Sequence, residues 1–104
     1  MSVNLSDVNF KEEVLEAKTP VLVDFWAPWC RPCNVLGETL AEVEKACPQC
    51  KVGKLNIDEN QQTTGTYSVN AIPTLLFFKA GKEVKRLVGL QEAKLLIETL
   101  QEMK

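Results

Sequence analysis

Four cysteines in two C-x-x-C pairs, Cys30-Arg31-Pro32-Cys33 and Cys47-Pro48-Gln49-Cys50, are the residues of this chain whose types and spacing point to chemistry. Among 104 residues there is no histidine, which removes imidazole acid–base and nucleophilic catalysis and the usual sensor of pH near neutrality. In a reducing compartment such pairs are redox-active or metal-binding more often than structural staples. The two-residue spacing carries the second sulfur to within reach of a mixed disulfide on the first. If Cys30 opens a helix, the unpaired N–H groups and the positive end of the helix dipole face it and favour its thiolate, which is the attacking species. Cys30, at the tip, is then the exposed nucleophile. Cys33, one turn inside, is the resolving thiol that frees the reduced substrate and closes the Cys30–Cys33 disulfide. Pro32, near the first helical position, fits a helix start.

The elements that must position this pair are legible around it. Val21 to Ala27 is a nearly unbroken apolar run, rich in β-branched and aromatic residues, and reads as a strand buried on both faces. The following helix runs from near Cys30 to about Ala46, with Leu36, Leu40, Val43 and Cys47 on one face. Pro48 stops it. Lys51 to Ile57 holds a shorter strand, completing a βαβ crossover. Asn9 followed by Glu12 resembles a capping box and predicts a first helix ending near Lys18, before Thr19-Pro20. A short helix is expected over Asn60 to Tyr67. Pro73 precedes a strand from Thr74 to Lys79, Ala80-Gly81 turns tightly, and Glu83 to Val88 returns antiparallel. Gln91 to Met103 is an amphipathic helix with Ala93, Leu96, Ile97, Leu100 and Met103 inward. The order predicts an α/β fold in one domain, residues 1–104, with a central mixed sheet and helices on both faces.

Composition bounds the function. The net charge of −2 gives no basic field for nucleic acid, and no like-charged run forms a tail. No apolar stretch is long enough to span a bilayer, and the first residues lack a basic segment followed by an apolar one. A cytoplasmic protein without nucleic-acid or membrane partners is expected.

Trp26-Ala27-Pro28-Trp29-Cys30-Arg31-Pro32-Cys33 resembles the active-site motif of the thioredoxin family, which usually has Gly between the first Cys and Pro. Further blocks follow in family order: Val21 to Trp26, Lys54 to Asp58, Ile72-Pro73-Thr74-Leu75 and Val88-Gly89. The resemblance covers essentially the whole chain. It implies the thioredoxin fold and a monomeric protein-disulfide reductase and electron carrier. Its partners would be disulfide-containing client proteins and a thioredoxin reductase that re-reduces it. It calls for no metal, and for no cofactor beyond the Cys30–Cys33 disulfide. It also implies roles for neighbouring residues. Asp24 stands among apolar residues, where burial favours its protonated form, and exchanges a proton with Cys33. Lys54 is the partner of Asp24. Pro73 is a cis-proline facing the sulfurs. Trp29, Ile72, Pro73 and Gly89 form a flat apolar docking patch, with Trp26 packing beneath.

Three departures from the family matter. Arg31 replaces the usual Gly; an extra cation beside Cys30 favours the thiolate and predicts a potential above the ~−270 mV of thioredoxin. Glu38 stands where many members carry a helix-kinking proline, and Asn34 replaces a frequent Lys. The pair Cys47 and Cys50 is additional, and reads as inert thiols, with Cys47 in the core, as a local disulfide, or as a regulatory thiol pair. Two rival functions remain at this stage: a zinc-binding module using all four cysteines, near zinc-ribbon spacing, and a more oxidising oxidase or isomerase on the same fold.

Overall fold

Backbone pairing follows the apolar runs. In the computed structural model, which describes residues 2–104, β2 (Val21–Trp26) is central because every residue but the last is buried. It pairs parallel with β3 (Lys51–Asn56) on one side and antiparallel with β4 (Thr74–Lys79) on the other. β1 (Val3–Leu5), a strand the sequence left unassigned, pairs parallel with β3 at one edge. β5 (Lys82–Val88) closes the opposite edge antiparallel to β4, with a bulge between Phe77 and Phe78. The sheet order is β1-β3-β2-β4-β5.

Each sheet face has its own core. On one face α1 (Arg31–Ala46) and α3 (Ala93–Glu102) lay Leu36, Leu40, Val43, Leu96 and Leu100 against Leu22, Val52, Leu75 and Phe77. On the other, Phe10 and Val14 pack on Val21, Val23, Phe25, Leu76 and Phe78, with Tyr67 edge-on to Phe78. Burying the larger apolar side chains in this way contributes roughly 1.5–3 kcal/mol each. The expected mixed sheet with helices on both faces is present.

Element boundaries differ from the sequence reading, most of all in the helices. The first helix is only a π-helical turn, Lys11–Leu15, with the Glu16 N–H donating to Lys11 O at 2.9 Å. The capping box fails because Asn9 turns backwards. Its Oδ1 accepts from the Ser6 N–H at 2.7 Å and its Nδ2 donates to Asn4 O at 3.0 Å. α3 starts at Ala93 rather than Gln91 and ends at Glu102. The short helix, α2, spans Gln61–Thr66.

Candidate active site

The sulfur pair sits where β2 hands over to α1. Cys30 is extended (φ −92°, ψ 110°) and is the N-cap of α1, with Arg31 and Pro32 exposed on the first turn. Proline is tolerated there because its missing N–H would have no helical partner. The Cys33 N–H donates to Cys30 Sγ at 3.2 Å, the bond a capping oxygen makes in other helices. The two cysteines form a disulfide with Cα atoms 5.3 Å apart. Asn34 braces the approach: its Nδ2 donates to Pro28 O at 3.2 Å and to Cys30 O at 3.1 Å.

One expectation is corrected here. Cys30 was expected to be openly exposed, yet it is only 6% exposed, against 1% for Cys33. The cause is its capping role, which turns the sulfur inward onto the helix end. It packs there with Ala27 and Cys33, against Trp26, Ile57 and Ile72. Cys30 is still the more accessible of the two.

Asp24 lies two residues before Trp26 on β2, on the sheet face that Leu22 shares with α1. It is fully buried, and neither carboxylate oxygen has a hydrogen-bond partner among the described residues. Loss of solvent raises its pKa from 3.8 to about 7, with the positive charge of Lys54 pulling the other way. Lys54 is directly opposite Asp24 in the β2–β3 register. No ion pair joins them among the described residues. The Lys54 amine lies 5.0 Å from the centroid of the Trp26 ring. An added Cβ on Gly37 would come within 3.2 Å of that amine, so the missing side chain in α1 makes room for the lysine head.

The docking residues fall into two groups. The Ile72–Pro73 bond is cis, Pro73 is buried, and Ile72 packs against the sulfur cluster. The Gly89 N–H donates to Pro73 O at 2.8 Å, and its φ of +90° suits glycine at this turn. Trp29 is 70% exposed and is held from the β3 side, its Nε1–H donating to Asp58 Oδ2 at 2.8 Å. Sequence reasoning assigned no role to Asp58, and read Asn34 only as a replaced lysine that removes a local charge and alters reductase docking, not as a brace of the backbone. Asp58 stood in the block after β3, but only the fold brings it to Trp29.

The second pair lies at the other end of α1. Cys47 is its C-cap, and Cys47 and Cys50 form a local disulfide, one of the states the sequence left open. The sixteen residues of α1 span roughly 24 Å at 1.5 Å per residue. Four sulfurs so placed do not converge on one zinc, which needs each at ~2.3 Å. Two separate dithiol–disulfide couples fit the geometry.

Comparison with known proteins agrees with this geometry. The family model described as Thioredoxin matches residues 1–102. The chain is 46% identical over 96 residues to a protein named thioredoxin in Rickettsia typhi, covering 91% of each chain. It is 45% identical over 98 residues to a Synechocystis thioredoxin, covering 93% of this chain and 92% of that one. Thioredoxin 1 of Synechococcus elongatus is 44% identical over 97 residues, covering 92% of this chain and 91% of that one. With a C-x-x-C disulfide capping the helix that follows the central strand, and matches of this extent, the chain belongs to the thioredoxin family and is a thiol–disulfide oxidoreductase.

Proposed function

We propose that the chain acts in the reducing direction, as a monomeric cytoplasmic protein-disulfide reductase that a thioredoxin reductase returns to the dithiol. The observation that carries this reading is the N-cap position of Cys30, whose sulfur accepts the Cys33 N–H at 3.2 Å. The same dipole and N–H groups favour a thiolate there. The Cys30 thiolate attacks one sulfur of a client disulfide, forming a mixed disulfide and releasing one client thiolate. Cys33 gives its proton to the Asp24 carboxylate, whose pKa of about 7 suits transfer near neutrality. Cys33 then attacks Cys30 Sγ, the second client thiolate leaves, and the Cys30–Cys33 disulfide closes. Two electrons pass to the client, and its two thiolates take up two protons.

Ile72 packs against the sulfur pair and is joined to Pro73 by a cis bond, and the two supply the edge on which an extended client segment docks. Trp29 and Gly89 extend that edge. The test is client reduction by Cys30→Ser and Cys33→Ser. Both variants lose turnover, and Cys33→Ser alone accumulates a covalent mixed disulfide with the client. Retained turnover in Cys33→Ser, or trapping by Cys30→Ser instead, would reverse or refute the assigned roles.

A further inference from the structure

The turn at the far end of α1 is built to hold two sulfurs. Cys47 is fully buried in the core under α1 and α3, and its N–H donates to Val43 O at 3.0 Å. Cys50 is partly exposed and lines a surface depression with Thr19, Glu44, Pro48, Gln49 and Lys51. The Cys50 N–H donates to Cys47 O at 3.0 Å, so residues 47–50 form a β-turn with proline at the second position, where its fixed φ is favoured. The Cα atoms are 5.4 Å apart, within disulfide range. Just beyond, the Lys51 N–H donates to Pro20 O at 3.0 Å. Backbone hydrogen bonds and proline hold this turn, so its S–S bond opens and closes on a backbone already in place.

We propose that Cys47–Cys50 is a second redox couple, harder to reduce than Cys30–Cys33, with Cys50 as its accessible sulfur and Cys47 as the buried resolver. The two couples occupy opposite poles of one helix. Cys30 sits at the N–H end of α1, whereas Cys47 and Cys50 follow its carbonyl end, whose partial negative charge disfavours a thiolate. Glu44 lines the same depression. The Lys51 amine is taken up by Glu13, at 2.9 Å from its carbonyl and 3.1 Å from its carboxylate. Lys45, in the last turn of α1, is exposed to solvent and screened by it. A dithiol whose thiolates gain no such help is the better electron donor.

Once an external dithiol of still lower potential has reduced Cys47–Cys50, electrons therefore pass from the Cys47/Cys50 dithiol to the Cys30–Cys33 disulfide. The length of α1 makes this a reaction between two copies. The Cys50 thiolate attacks a sulfur of the other copy's Cys30–Cys33 disulfide, breaking that bond and forming a mixed disulfide. The Cys47 thiolate attacks Cys50 Sγ, closing Cys47–Cys50 and releasing the other copy's thiolate. The two protons lost pass through solvent to the new Cys30/Cys33 dithiol.

The test equilibrates the protein in dithiothreitol buffers of graded thiol-to-disulfide ratio, quenches with acid, alkylates free thiols and maps them by mass. Two separate two-thiol transitions are expected. The Cys47/Cys50 transition needs a ratio at least tenfold more reducing, about 30 mV for a two-electron couple. Brief alkylation of the fully reduced, folded protein labels the partly exposed Cys50 before the buried Cys47. The Cys47→Ser/Cys50→Ser double variant keeps the Cys30/Cys33 transition and client turnover, and Cys50→Ser alone gives the same result with the buried Cys47 left intact. Coincident transitions, the reverse order, first labelling at Cys47, or a second pair that stays as thiols in every buffer would overturn the proposal.

Discussion

At the scale of single residues, Asp24 is the clearest case of placement setting chemistry. Its unfolded-state value of 3.8 and its folded value of about 7 define a window in which the folded protein holds more protons than the unfolded one. Stability therefore falls as pH rises from about 4 to about 7, then levels off. Asp24→Asn removes that slope and raises stability at pH 8 by as much as about 4 kcal/mol, at ~1.4 kcal/mol per pKa unit. Denaturant titration of both proteins across this range checks it; parallel pH profiles would show that Asp24 is not the source. Arg31 is exposed, so its effect on Cys30 is screened but keeps its sign. Arg31→Gln lowers the reduction potential of the Cys30–Cys33 couple by less than ~30 mV, a tenfold change in its equilibrium constant. In 1 M salt the difference shrinks. Equilibration against glutathione at low and high salt measures both.

At the scale of elements, the periodic segments were legible in the sequence, whereas the first helix proved to be a π-helical turn and the short helix rests on a cap the sequence did not show. α1 shows its apolar stripe over sixteen residues, which outweighs any local preference. α2, with Gln, Thr and Gly, has little intrinsic tendency to be helical. It is capped from a distance: the Asp7 carboxylate accepts the Thr63 N–H at 2.8 Å and the Gln62 N–H at 3.3 Å. Asn60, the neighbouring residue that could cap it, instead accepts the Asp7 N–H at 2.9 Å. Interaction with the Thr63 side chain lowers the Asp7 pKa, partial loss of solvent opposes it, and the Thr63 and Gln62 N–H groups lower it further. Asp7→Ala should cost about 1 kcal/mol at pH 7, the usual loss for a missing cap. That difference is present above the ordinary aspartate range and vanishes as acid protonates Asp7. Thermal unfolding at pH 7 and near pH 3 checks it, and an equal loss at both would exclude the carboxylate as the cause.

At the scale of the whole molecule, the reactive sulfurs are recessed while an aromatic ring beside them stands out in solvent. Trp29 is 70% exposed though tied to Asp58, as suits a surface that meets large partners. Trp29→Ala is expected to lower kcat/KM for protein disulfides roughly tenfold, the loss of a contact worth about 1.4 kcal/mol, with reduction of a small soluble disulfide unchanged. Equal losses on both substrates would place the tryptophan in the sulfur chemistry instead. The sequence alone determined the strand-to-helix placement of Cys30 and Cys33, the mixed sheet and its main helices, because apolar periodicity and proline or glycine punctuation are local signals. Only the tertiary structure decided that Asp24 has no hydrogen-bond partner among the described residues, that Asp58 holds Trp29, that Asp7 caps α2 and that Cys30 turns inward. Burial and hydrogen bonds between distant segments depend on where the chain returns, and no local pattern records that. The Cys30–Cys33 and Cys47–Cys50 pairs show the division most plainly. Both were visible as C-x-x-C at the two ends of one expected helix, but only the folded structure buried Cys47, left Cys50 partly exposed and closed the second pair as a disulfide.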